Sequence, residues 1–406
     1  MNSHRPGSRV VFVNRYYWPE EPATAQLLTD LAEGLATRGW QTRVITSHDG
    51  SRATPQREQR HGVEITRIRA TRWGRRGITA KAFDYLTFSL AARHALRRQV
   101  EAGDWLVAMT DPPSLALIAA TVARRAQARL VHWVQDIHPE IDLALSPNRL
   151  LAALARRWMP RRDTAWQTAE ACVAISRDMA SLIAEHGVPA GRLQTIPNWA
   201  PGDIAPIFPA PGPNVLRGEW GVTDQFVVAY SGNLGRVHAL EPVLGAAALL
   251  RADPGLVFLL IGDGPRRRAL GEEARARGLG NVRFLPSQPR ARLAESLSAA
   301  DVHLVTLRAG CERLVFPSKL YGIAAVGRPV AYLGPLQCEV AETIRRGDFG
   351  VTVGDHDSVG LADALRRLKE DRPRLTTLGE AAARWSRATG GLRAALEAWT
   401  GVLHDA

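Results

Sequence analysis

The chain has 406 residues, 46% hydrophobic and 23% charged, a balance that excludes wholesale disorder and a length that favours two domains over one core. It has no apolar run of about 18 residues to span a membrane, no signal-peptide core at its start, and three scattered cysteines that suit neither a disulfide framework nor a metal cluster. A cytoplasmic protein is expected, with a net charge of +12 of which about +9 falls within residues 1–200.

In chain order, "RVVFVNRYY" reads as a strand and "ATAQLLTDLAEGLATRGW" as a helix closed by Gly39. "QTRVITSH" and "GVEITRIRA" are strands, followed by the Arg- and aromatic-rich stretch 67–98. Then come "DWLVAMTD" (strand), "PSLALIAATVARRAQ" (helix), "RLVHWVQD" (strand), the basic segment 148–162, and the strand–helix "ACVAISRDMASLIAEHG". Strands alternating with helices imply a parallel sheet covered on both faces. A Pro-rich segment, 199–215, reads as a linker between a first domain (1–198) and a second (216–385). In the second, "QFVVAYSGNLG", "LVFLLIGDGP", "NVRFLP" and "DVHLVTLRA" are strands with their turns, each followed by a helix. Residues 386–406 form a helical end, broken at Gly390-Gly391, that can cross back to the first domain. The fold class is α/β, two Rossmann-like domains facing across a cleft, with ligands at the carboxyl ends of the strands.

Three loops of the second domain fall at such ends. In "YSGNLGRVHAL" Gly232 and Gly235 let backbone approach a ligand, and Arg236 is expected at the start of the next helix. "IGDGPRRR" supplies Gly262 and Gly264 in a turn that opens a helix. In "FPSKLYGIAAVGRP" Pro317 and Ser318 start a helix with Lys319 in its first turn. A tight strand-to-helix turn uses glycine for structural reasons too, but three in register, two with a cation at hand, describe a diphosphate cradle. The basic aromatic stretches 67–98 and 148–162 suit an anionic membrane surface, or equally a solvated Arg-rich helix face; no nucleic-acid-binding module accompanies them.

The ordered series resembles the GT-B retaining glycosyltransferases of family 4 that assemble bacterial polysaccharides. It comprises "YYWPEEPATAQLLTDLAEGLATRGWQTRVIT", "TDPPSLAL", "VQDIHPE", "SGNLGRVHALEPVL", "IGDGPRRRAL", "NVRFLP", "ADVHLVTL" and "PSKLYGIAAVGRPVAYLGP". The resemblance implies a nucleotide-diphosphate sugar, expected to be a UDP-sugar, held by the second domain, and a lipid-linked or other membrane-associated glycan acceptor held by the first. The enzyme would then be peripheral on the inner leaflet. Arg236 and Lys319 would neutralise the diphosphate, so no metal or other cofactor is expected. Gly232, Asn233, Gly262, Gly264, Ser318 and Tyr321 would complete the donor site. Asp136 would orient the acceptor or stabilise charge on the sugar, with Gln135, His138 and Glu140 as sugar contacts.

The sequence departs from the family pattern in both domains. The paired glutamates of many members fall on Leu314 and Gly322; Glu312 lies two positions early, and Glu339 is the expected replacement. Where relatives often have His-Asp, this chain has Gln135-Asp136. Two other readings stand beside transfer: a GT-B-like nucleotide-sugar epimerase, and a non-catalytic nucleotide- or lipid-binding protein.

Overall fold

In the computed structural model, which describes residues 9–74, 78–146, 148–202, 204–206 and 214–405, runs such as RVVFV and LVFLLI are strands buried along almost their whole length. That is the pattern of parallel strands covered on both faces. The chain divides into two units, Met1–Pro197 with Leu392–Ala406, and Asn198–Gly391. Residues 203 and 207–213 of the expected linker lie outside the described residues.

The first unit runs β1 (Arg9–Val13), α1 (Ala23–Thr37), β2 (Gln41–Ser47), β3 (Arg57–Arg60), β4 (Val63–Ile68), α2 (Ile78–Gln99), β5 (Trp105–Ala108) and α3 (Leu115–Ala126). It continues with β6 (Arg129–Val134), α4 (Glu140–Leu145), α5 (Arg149–Gln167), β7 (Ala171–Ala174), α6 (Arg177–Glu185) and β8 (Leu193–Thr195). The sheet order is β3-β4-β2-β1-β5-β6-β7-β8, parallel throughout except for β3, which pairs antiparallel with β4. β3 was not expected from sequence. Its residues, Arg-Glu-Gln-Arg, carry no apolar signal, and the hairpin rests on a His61-Gly62 turn with both φ positive. Alternate residues of β1 serve different layers: Val11 and Val13 join Phe88, Leu96, Leu115 and Ala119 of α2 and α3 in one core.

The second unit runs α7 (Val215–Glu219), β9 (Phe226–Ser231), α8 (Glu241–Leu249), β10 (Leu256–Ile261), α9 (Arg267–Ala276), β11 (Val282–Leu285) and α10 (Leu293–Ser298). It continues with β12 (Val302–Thr306), α11 (Lys319–Ala325), β13 (Val330–Leu333), α12 (Glu339–Gly347), β14 (Gly350–Val353), α13 (Ser358–Glu370) and α14 (Arg372–Ala388). Its six parallel strands lie in the order β11-β10-β9-β12-β13-β14. Phe226, Val228 and Tyr230 of β9 face the core shared with α8 and α13, while Val227 and Ala229 face the opposite layer.

Gly390 and Gly391, both at positive φ, turn the chain into α15 (Gly391–Asp405). This helix packs on the first unit. Trp399 is fully buried with its ring edge-on to Trp133 of β6 at 5.0 Å, and Leu396 fills the space left by Gly34 of α1.

Candidate active site

Each sheet has one point where the strand order reverses, and loops that leave the sheet there diverge and open a crevice. In the second unit it lies between β9 and β12. The loop after β9 is tied to the loop after β10 by Gly232 N–H to the Ile261 carbonyl (2.9 Å) and Leu234 N–H to the Asp263 carbonyl (2.8 Å). A Cβ on Gly262 would stand 2.0 Å from the Gly232 oxygen, and one on Gly264 2.5 Å from Asn233 Oδ1, with φ near +145 at both. These two glycines, expected to approach a ligand, are therefore used up by the packing of one loop on the other.

Gly232, at φ +131, is exposed, and a Cβ there would meet Lys319 Nζ at 3.3 Å. Lys319 begins α11, directly after the Ser318 cap position, whose hydroxyl makes no cap bond. Its Nζ is excluded from solvent, although part of the side chain is exposed, and it has no hydrogen-bond partner among the described residues. Burial pushes its pKa well below the usual lysine range. The ammonium rests instead on the face of Tyr230, 3.4 Å from the ring centroid. His238 stands edge-on to the same ring at 5.7 Å and hydrogen-bonds the Thr306 carbonyl (2.8 Å). Burial and the Lys319 charge push His238 down to about 3, so its imidazole is neutral beside the cation.

Arg236 is exposed and lies in a turn, several residues before α8 rather than at its start. Its carbonyl accepts from Arg308 Nε (3.2 Å), which joins this loop to the one after β12. Two neighbouring guanidiniums are already engaged: Arg266 and Arg308 both hold Glu241, at 2.6 and 3.1 Å. Burial works against the Glu241 carboxylate, yet these partners keep its pKa at about 2.

Tyr321, expected at the donor site, presents little surface to a ligand. It is buried in an aromatic stack, 5.7 Å from both Phe316 and Trp385, and helps seat α11 on α14. At Gly322, where the resemblance leads one to expect a glutamate, a Cβ would already lie 3.3 Å from Leu297 of α10. Leu314 is buried. Glu339 opens α12, close enough to Tyr321 for its carboxylate, after burial, to raise the phenol pKa. Glu312 keeps one buried carboxylate oxygen without a partner among the described residues.

In the first unit the reversal lies between β1 and β5. Arg15 follows β1, Asp111 follows β5 and Asp136 follows β6. Arg15 pairs with Asp84 of α2 (3.3 Å), its backbone N–H bonds the Asp111 carbonyl (3.0 Å), and its guanidinium lies 5.3 Å from the rings of Tyr16 and Tyr85. The Asp136 backbone N–H donates to Thr110 Oγ1 (3.3 Å). Burial raises the pKa of both Asp111 and Asp136, and the Asp111 charge adds to the rise at Asp136. Burial opposes charge on His138, but its hydrogen bond to Asp142 (2.8 Å) and the nearby Asp136 carboxylate raise its pKa overall. Sequence reasoning missed Asp111. An acid directly after the second strand of the reversal was the signal available.

Two expected sugar contacts, Gln135 and Glu140, are already engaged within the protein. Gln135 is only 4% exposed and already engaged. Glu140 is held by both Arg162 nitrogens at 2.7 Å, with His186 at 3.4 Å, in an ion pair that anchors α4 to α5.

Residues 24–199 match the model of the glycosyl transferase 4-like domain, and residues 216–385 match glycosyl transferases group 1. The chain belongs to the GT-B glycosyltransferases of family 4 type. WcaI of Escherichia coli (strain K12), which bears the name of a colanic acid biosynthesis glycosyl transferase, is 28% identical over 326 residues, 77% of this chain and 79% of WcaI. Among solved structures, sucrose-phosphate synthase from Thermosynechococcus elongatus superposes with a TM-score of 0.78 at 18% identity, over 98% of both chains. HepE of Anabaena, in complex with UDP-glucose, gives 0.75 at 17% identity, over 98% of this chain and 100% of HepE. This glycosyltransferase thus keeps the family fold.

Proposed function

We propose that this glycosyltransferase moves a sugar from a nucleotide-diphosphate donor, taken to be a UDP-sugar, onto a lipid-linked or membrane-associated glycan during polysaccharide assembly, with retention at the anomeric carbon. The observation that carries the reading is the Lys319 Nζ, buried with no hydrogen-bond partner among the described residues, beside Gly232 at the strand reversal. A desolvated cation of this kind gains most from an anion that completes its coordination. The UDP-glucose bound by HepE and the name borne by WcaI support the donor and the pathway.

On this reading the bond between the anomeric carbon and the diphosphate oxygen breaks as the acceptor oxygen bonds to the same carbon from the same face. Lys319 and Arg236 stabilise the charge gathering on the diphosphate, which takes the acceptor proton, so no metal ion is required. Asn233 and Ser318 supply further donors. Asp136, joined by Asp111, orients the acceptor hydroxyl. Glu339 bonds donor hydroxyls.

The acceptor's membrane setting is supported by the first unit's surface. Phe83, Leu86 and Leu90 are exposed on α2, with Trp73 stacked on Phe83 at 5.4 Å. Leu150 and Leu154 are exposed on α5, followed by exposed Arg156, Arg157 and Arg161. Such a face suits a peripheral position on an anionic leaflet. Not every cation in these stretches is available, since Arg67 and Arg72 pair with Glu58 and Glu20. No helix among the described residues is long and apolar enough to cross a membrane.

The test is thermal stabilisation by UDP, GDP, ADP and their sugars, on wild type and Lys319→Ala. The expected outcome is a shift with uracil nucleotides only, lost in Lys319→Ala, whose turnover falls about 10²–10³-fold. Absence of any nucleotide shift in wild type would overturn the reading. Consumption of donor without acceptor would favour the epimerase instead.

A further inference from the structure

Tyr230 touches both halves of the donor loop system from beneath. Its ring face lies 3.4 Å from Lys319 Nζ, and its hydroxyl donates to the Asn233 carbonyl at 2.8 Å. The residue is fully buried at the end of β9, backed edge-on by His238, which is itself tethered to the Thr306 carbonyl at the end of β12. Lys319 comes from the far side of the strand reversal, and Asn233 from the near side. One side chain therefore spans from the loop after β9 to the cation at the start of α11.

A ring differs from a carboxylate as a partner for an ammonium. A carboxylate would hold Lys319 equally well but would neutralise it, and an incoming diphosphate would have to compete with it. The π face fixes the position of the cation and leaves its charge and its N–H donors unspent. The glycine at 232 completes the arrangement, because a side chain there would crowd Nζ from above.

We propose that Tyr230 is the positioning residue of the diphosphate site, its ring face holding the Lys319 ammonium in place. The proposal rests on the donor reading above. Tyr230 itself touches no substrate; it fixes where the β-phosphate of the donor meets Lys319.

The test compares two probes, UDP and UMP, by calorimetry on wild type, Lys319→Ala, Tyr230→Phe and Tyr230→Met. If wild type binds UDP no better than UMP, the donor reading fails before Tyr230 is considered. If wild type prefers UDP and Lys319→Ala loses that preference, the site stands and Tyr230 can be judged. Tyr230→Met is then expected to cut the UDP-over-UMP preference at least tenfold, while Tyr230→Phe, which keeps the ring, holds it within twofold. Equal loss for both probes in Tyr230→Met, with the preference unchanged, would assign Tyr230 to packing alone and overturn the proposal. Should Tyr230→Met fail to fold, trifluorophenylalanine at 230 keeps the shape but weakens the π face. A reduced preference is then expected, and an unchanged one overturns the proposal.

Discussion

Lys319 Nζ is kept from water with no hydrogen-bond partner among the described residues, so its charge depends on what binds. Burial lowers its pKa in the ligand-free protein, and a bound diphosphate would raise it again. Between those two values binding takes up a proton, and affinity falls as pH rises through that window. Calorimetry of UDP binding in two buffers of different ionisation enthalpy should therefore give different apparent heats at alkaline pH. Equal heats would mean that Lys319 is already charged before binding. Glu140 shows the opposite economy, both its oxygens being committed to the buried Arg162. Glu140→Gln is expected to lower stability by about 1.5 kcal/mol, a charge-assisted bond weakened while Asp163 still holds the buried guanidinium, and UDP affinity stays unchanged. Urea denaturation together with calorimetry separates the two effects. The sequence could not assign these roles, because nothing in "HPEI" says that an arginine 22 positions later will reach Glu140.

Elements were more legible than contacts. Both sheets could be read because parallel strands buried on two faces are apolar at nearly every position, as in FVVAYS and LVFLLI. β3 escaped because an edge strand of charged residues needs no apolar signal. The cradle loops were found, but the division of labour among their glycines was not. Gly262 and Gly264 serve loop-on-loop packing, and only Gly232 faces the cation. Gly262→Ala puts a side chain against the Gly232 carbonyl at a φ of +143, which is expected to cost well over ~1 kcal/mol and to abolish UDP binding. Retention of wild-type affinity would contradict that packing role. On α2, serine at Phe83, Leu86 and Leu90 together should weaken binding to vesicles of anionic phospholipid and leave nucleotide affinity intact. Flotation of both proteins with the same vesicles decides it.

At the scale of the whole molecule, the imidazoles of His132, His238 and His303 are buried in the sheets or beside them. His132 and His303 are pushed by burial to about 4 and His238 to about 3. An unfolded histidine near 6.5 binds its proton first, so stability is expected to fall as pH drops from about 6.5 towards 4. Denaturation midpoints at pH 7, 5.5 and 4.5 check the sign, which His303→Gln should soften. The two-domain plan was readable from the Pro-rich break and the restarted alternation of strands and helices. The return of α15 was less so, because its decisive contact, Trp399 on Trp133, joins residues remote in sequence.

That return has a consequence for biosynthesis. Trp133 emerges from the ribosome early, whereas the helix that covers it is made only after the whole second unit. At ~5–20 residues per second the gap is on the order of tens of seconds. The second unit, Asn198–Gly391, is contiguous and can close first, so the half of the enzyme translated earlier is the half completed later. During that interval an indole awaits its partner, a natural point for a chaperone to hold the nascent chain.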